Sequence, residues 1–367
     1  MNTLGRTRAA PHARAHISLT RIQAMRLLAL VPVMIAAVVN TGHQYLSALN
    51  AIGGSHDGDW RDAVVQDLGL NYSDPAMLDV LAAGLVHVLP VLAMALVVGG
   101  VWEQLFAVYR RRQRESGLLL IAVLMTLLMP PGVSLVHLTV GMSFAIVFGK
   151  GIFGGEGKTF VNPAVVGATA MLISFPTALT GHSLWSGVAG YGGTRALALY
   201  HNEGINGFAL AGIDWWNAFI GNLQGPMGTT SLLAIGLGAA LLLVMRIASW
   251  RLIAGQFIGL AIVVTLCNLF GDKQGIATLS LHWHVALGAF AFGAVFLTTD
   301  PASAASTNAG RWVQGLIVGA LIATMRIANP AHSDGVILAI LMGAVLAPLI
   351  DYVVIWFNVR QRARGYG

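Results

Sequence analysis

Ten runs of apolar residues, 14 to 30 long and nearly free of charge, decide what this chain can fold into. They lie at 27–47, 79–108, 117–130, 133–149, 163–176, 230–246, 250–270, 282–299, 311–327 and 335–357. A helix of roughly 20 apolar residues spans a hydrocarbon core, and shorter ones do so where their polar ends reach the interface. Inside lipid every backbone N–H and C=O must be bonded within its own segment, which makes such runs helices. The charge supports this: 21 Lys and Arg with 15 Asp and Glu make up 10% of the chain, against roughly 25% in soluble domains. A water-soluble globule and a disordered chain are both excluded. The fold class expected is an all-α polytopic membrane protein with about ten transmembrane helices.

The net charge of +6 does not point to nucleic acid, because the basic residues sit in short clusters between apolar runs. Their distribution sets orientation instead. With the N-terminus inside, 17 of the 21 fall on the cytoplasmic side, leaving Arg61, Arg195, Lys273 and Arg326 outside. Both termini are then cytoplasmic. The first run reads as a retained helix, since no small-residue cleavage site precedes Asn40–Gln44. Cys267 is the single cysteine and lies in an apolar run, so no disulfide framework or thiolate metal site is expected.

Internal symmetry divides the runs. Asn162-Pro163-Ala164 opens the fifth, and Asn329-Pro330-Ala331 lies just before the tenth. Pro130-Pro131 closes the third and Asp300-Pro301 the eighth. Two halves of five helices follow, and because five is odd the second enters from the opposite face, an inverted-topology repeat. Asn as an N-cap and Pro at the first helical position also give the tripeptide a purely structural reading. The expected organisation is a basic tail 1–26, a first five-helix repeat 27–176, a periplasmic loop 177–229, a second repeat 230–357 and a tail 358–367.

Two carboxylates fall within the expected spans, Glu103 in the second and Asp351 in the tenth. Ionisable groups at membrane depth cost a few kcal/mol and mark functional sites by default. At 1.5 Å per residue they lie roughly 10 and 14 Å from the charged inner ends of their helices, at similar depth. That placement suits uptake of a cation or proton; the alternative is an acid near the interface paired with a loop arginine. His87, His137, His282 and His284 lie near the outer ends of their runs and read as interfacial groups bonded to loop carbonyls rather than haem ligands. Gly99-Gly100 allows close approach of a backbone or a flat ring. No catalytic motif of the soluble type and no metal-binding spacing is present; Gly155-Glu156-Gly157-Lys158 lacks the spacing of a phosphate-binding loop.

Taken in order, the strings VVGGVWEQLF, GIFGGEGKTFVNPAVVG, WNAFIGN, IASWRLIAG, HWHVALGAFAFG, TTDPASAASTN, RIANPAHSDGVILAIL and APLIDYVV resemble a known family. It comprises the B-type subunit of the sodium-translocating NADH:quinone reductase and the homologous D-type subunit of the Rnf electron-transport complex. The likeness runs from about residue 20 to the end. It implies a multi-pass component of a bacterial inner-membrane complex that passes electrons through flavins to quinone while exporting sodium; the residues themselves leave sodium and proton open as the coupling ion. By position, Gly99 and Gly100 match glycines tied to quinone binding, and Glu103 and Asp351 match acids tied to sodium uptake. The implied partners are the other subunits, quinone and the coupling ion.

One departure changes the cofactor reading. The family joins FMN through its phosphate to a threonine in an outer-loop motif D-G-Y-S-G-A-T-A-L. Here the matching stretch is Ala189-Gly190-Tyr191-Gly192-Gly193-Thr194-Arg195-Ala196-Leu197. Arg195 occupies the acceptor position, and a guanidinium offers no oxygen nucleophile; Thr194 sits one residue early. Arg195 suits a noncovalent flavin phosphate, which it would hold by bidentate hydrogen bonds. The expected function is therefore a quinone-side electron-transfer and ion-coupling subunit, a paralogue without covalent FMN whose flavin, FMN or riboflavin, is held noncovalently. The alternatives are a passive solute channel, given two Asn-Pro-Ala tripeptides, and a redox-inactive membrane anchor.

Overall fold

The computed structural model describes residues 18–53, 60–111, 117–176, 179, 184–188, 196–271, 275–328 and 335–365. Every described regular element is helical, and each of the ten apolar runs forms helix. Five helices are long and apolar enough to cross a membrane: α1 (Leu19–Ala51), α3 (Met77–Arg110), α10 (Trp250–Phe270), α13 (Asn308–Ala328) and α14 (Val336–Gly365). A short outer helix, α2 (Trp60–Asp67), joins the first two of these. Shorter apolar helices complete the set: α4 (Leu118–Leu128), α5 (Leu135–Ile146), α6 (Pro163–Ser174) and α9 (Leu232–Val244). The chain is a polytopic helical membrane protein.

Local chemistry sets the ends. Ser18 accepts from Arg21 N ahead of α1, and Ser231 from Ala234 N ahead of α9. Asn162 accepts from Ala164 N while Pro163 takes the first position of α6, the arrangement the tripeptide predicts. Asn329-Pro330-Ala331 lies outside the described residues. The stretch expected as a plain loop, 177–229, carries α7 (Ala196–Leu210, kinked at Gly204) and α8 (Trp215–Ile220).

Two helices end in π-turns. α5 runs into one at Val147–Gly151. The eighth span, expected to be continuous, is broken: α11 (Leu281–Ala286) stops, and α12 (Phe290–Phe292) restarts and passes into a π-turn at Gly293–Leu297. The break frees carbonyls in the bundle, and Arg326 of α13 supplies donors to them: Nη1 to His284 O at 2.6 Å and Nη2 to Leu287 O at 2.9 Å. Arg326, counted by the sequence among the outer charges, is 0% exposed and faces the interior of the bundle.

The halves share much of one pattern of neighbours, though α1 packs closely on α3 in the first and, among the described residues, α9 makes no such contact with α10 in the second. In the first, α3 packs on α5, α5 on α6, and α4 on α3 and α6; in the second, α10 packs on α13, α13 on α14, and the broken span on α10 and α14. Between halves, α1 meets α9 and α6 meets α14. Equivalent segments pair in this way when a two-fold relates the halves. Glycines permit the closest crossings. A Cβ on Gly259 would strike Leu316 O and one on Gly319 would strike Gln256 O, so α10 and α13 approach backbone to backbone. Gly42 and Gly84 do the same for α1 and α3.

Candidate functional site

The packing of α3 against α5 determines where Glu103 points. Trp102 Nε1 donates to Ser143 Oγ at 2.9 Å, fixing the helices in register, and Glu103 meets Lys150 in the π-turn at the end of α5. Lys150 Nζ lies 2.6 Å from Glu103 Oε1 and 3.1 Å from Glu156 Oε2. The Lys150 side chain is 3% exposed and that of Glu103 is 9%. Flanking glycines let this turn nest. A Cβ on Gly149 would come within 2.7 Å of Pro163 Cα, and one on Gly151 within 2.5 Å of the Phe106 ring. Arg110 donates to Gly151 O, tying the inner end of α3 to the same turn. Glu103 is thus a paired acid, and its partner is a lysine inside the bundle rather than a loop arginine.

Gly99 and Gly100 differ. Gly99 is buried, and a Cβ there would meet Met142 Cε at 2.7 Å and press into Leu118, so its small size serves packing. Gly100 is half-buried, and the nearest atom to an added Cβ is Leu118 Cδ2 at 3.8 Å. Gly100 leaves a flank of α3 open to a flat ligand, one turn before Glu103.

Asp351 is a clamp. Its Oδ2 accepts from Ser306 N at 2.6 Å, and its Oδ1 from Thr307 N at 3.0 Å and Thr307 Oγ1 at 2.5 Å. These bonds hold the segment that leads into α13. The structure does not bring Asp351 to Glu103: the first is bonded to the segment before α13, the second to the end of α5.

Further charge is buried where the sequence suggests water. Arg26 Nη1 lies 2.8 Å from Asp300 Oδ1, and its Nη2 donates to Phe296 O at 3.1 Å, with both side chains about nine-tenths buried. The sequence places Arg26 in the cytoplasmic tail and Asp300 at a loop; both lie inside. The available signal is position, since Arg26 immediately precedes the first run, while Lys150 and Asp300 close the fourth and eighth. His87 and His284 are both 0% exposed instead of interfacial; His87 Nδ1 pairs with Ala83 O at 2.9 Å.

Two clefts adjoin these groups. One, of about 590 Å³, is lined by Arg26, Asp300, Glu156, Thr159 and Asn162. Asn162 is 3% exposed, and its Nδ2 has no partner among the described residues. The other, of about 440 Å³, lies between Ala196 and Leu197 of α7, the 223–230 segment and the break at Ala286–Gly288. Thr194 and Arg195 lie outside the described residues, but α7 begins immediately after them, on the wall of this second cleft.

The fold and the site together define a polytopic helical membrane protein with charged groups paired inside its bundle. The profile of the NQR2, RnfD, RnfE family matches residues 6–359, and the chain belongs to that family. It is 38% identical over 359 residues to the B-type subunit of the Na(+)-translocating NADH-quinone reductase of Azotobacter vinelandii, covering 97% of this chain and 89% of that one. The protein of the same name in Pseudomonas paraeruginosa is 38% identical over 360 residues, and that of Stutzerimonas stutzeri 37% over 361, with the same coverage.

Proposed function

We propose that this chain is the quinone-side membrane subunit of a sodium-translocating NADH:quinone reductase of the bacterial inner membrane, working with the complex's other subunits. One observation carries the reading: Gly100 and Glu103 stand three residues apart on α3, so an open flank for a quinone ring and a buried carboxylate share one helix face. Reduction of a ring at Gly100 changes charge within a low-dielectric region, and a nearby buried carboxylate feels that change most strongly. The Lys150 ammonium occupies the place a coupling cation would take. Displacing or re-pairing Lys150 is the local event through which Glu103 takes up or releases that cation. Asp351 acts by holding the 305–307 segment, through which it influences the ion path.

Flavin is held noncovalently. The cleft beside Ala196 and Leu197 has a largely apolar lining, which suits the face of a flavin ring. Arg195, one residue before α7, supplies the phosphate contact that FMN needs. The orphan amide of Asn162 in the 590 Å³ cleft suits the hydrogen-bonding edge of a flavin that has no phosphate, riboflavin. Such a flavin supplies one-electron steps between the complex's donor and quinone. A passive channel or a redox-inactive anchor would carry no flavin.

The test is flavin analysis of the purified full chain, co-expressed with the flavin transferase. The expected result is flavin released on denaturation, no fluorescent band on a denaturing gel, and an unmodified peptide spanning 185–200 by mass spectrometry. An FMN adduct on Thr194 would overturn the noncovalent assignment, and absence of any flavin would favour the anchor or the channel.

A further inference from the structure

A cleft of about 610 Å³ opens where α9 ends and α10 begins, and two arginines enter it, Arg246 and Arg311. Ser249 and Ser306 bring two serine side chains to its wall, and Thr299 lines it too, with its hydroxyl already donated to Val295 O. Arg246, Ser249 and Thr299 belong to none of the quinone, ion or flavin sites described above, while Ser306 also donates its N–H to Asp351.

The positive charge there is unspent. The Arg246 side chain makes no hydrogen bond or ion pair among the described residues, and Arg311 uses only its Nε, donating to Ala305 O at 2.9 Å. The two terminal nitrogens of Arg311 stay available. The acid within electrostatic range of Arg311 is Asp351, and its two oxygens are already taken by Ser306 and Thr307. The Ser249 Oγ is shielded from solvent and has no partner among the described residues.

The backbone adds an independent sign. Arg246 has φ 57° and is one of two described non-glycine residues in the left-handed region. It occupies the turn that ends α9, where Ile247 N returns to Leu242 O. Glycine is the residue such a turn favours, and a side chain held there at some cost points to a use for that side chain. Beside the cleft, Trp250 and Trp312 meet edge to face at 5.5 Å, and Arg251 lies over Trp250. A tryptophan pair of this kind belongs at headgroup depth.

We propose that this cleft binds a phosphate group, bidentate on Arg246 and Arg311 with the Ser249 and Ser306 hydroxyls completing its oxygens, and that the group is the headgroup phosphate of an anionic phospholipid. The assignment does not rest on the quinone or flavin readings; through Ser306 and Arg311 the cleft borders the 305–307 segment that Asp351 holds.

The test uses the full chain purified in mild detergent and observed by native mass spectrometry, with phosphatidylglycerol and inorganic phosphate added in separate arms. The wild type is expected to retain one phosphatidylglycerol. Arg246→Gly should bind about tenfold more weakly, as loss of one charge-assisted contact implies. It should melt no lower than wild type, since glycine suits that φ. Arg311→Gln should weaken binding similarly, whereas Arg360→Gln, far along α14, should not. Phosphate binding that is lost in the same two variants, without lipid retention, would support the site and make free phosphate its ligand. Equal retention by Arg246→Gly and wild type, or no retention of either ligand by wild type, would overturn the proposal.

Discussion

Glu103 and Lys150 show how a side chain acquires its role from what faces it. Breaking a buried ion pair from one side costs about 3–5 kcal/mol because the other charge is left stranded. Glu103→Gln keeps a carbonyl acceptor for Lys150, so the yield of assembled complex should hold. Sodium stimulation of quinone reduction in that complex should fall about tenfold, the scale of one charge-assisted contact. Lys150→Met leaves Glu103 and Glu156 without their shared ammonium and should lower the melting temperature more than Glu103→Gln does. Asp351→Ala should act otherwise: with Ser306 and Thr307 released, stability drops by about 2 kcal/mol, and proteolysis at 300–307 quickens in limited digestion. Normal sodium stimulation in both Glu103→Gln and Asp351→Ala would remove the ion role from these acids.

Among the elements, the α10–α13 crossing depends on the absence of side chains. Gly255 and Gly315 lie with Cα atoms close to each other's helix, and Gly259 and Gly319 face opposing carbonyls. Gly259→Ala and Gly319→Ala should each cost about 1–3 kcal/mol through overpacking, read as unfolding midpoints in mixed micelles. Gly236 in α9 has nothing within 4 Å of an added Cβ, and Gly236→Ala is the control that should leave the midpoint unchanged. The broken eighth span belongs to this scale too. His284 and Leu287 could not hold their carbonyls in a bundle without the donors of Arg326, so the break and the buried arginine of α13 stand or fall together.

Across the whole molecule, the Arg26–Asp300 pair joins residues 274 positions apart and fastens α1 to the end of the eighth span. Arg26→Met and Asp300→Leu should each destabilise more than the two combined, because the double variant leaves no unpaired charge. Thermal unfolding of the three variants measures this, and simple additivity would show that the pair contributes little coupling. The 590 Å³ cleft includes both residues, so flavin content should fall with either single change.

The sequence alone determined the class and the span positions. An apolar run must become a helix in lipid, and that requirement is local, so the seventh run, 250–270, matches α10 residue for residue. The Asn162-Pro163 start of α6 was legible for the same reason, as was the family, which rests on contiguous strings. Partners were not legible. Lys150 reads as a loop lysine, Arg26 as a tail arginine and Arg326 as an outer charge, because basic residues near a span end look the same whether they face water or a carboxylate across the bundle. Pairing Glu103 with Lys150, Arg26 with Asp300 and Arg326 with the broken span depends on helix crossings, and glycine-permitted backbone contacts set those crossings. Only the tertiary structure decides them, since attraction between buried charges acts over a few ångströms in space regardless of their separation along the chain.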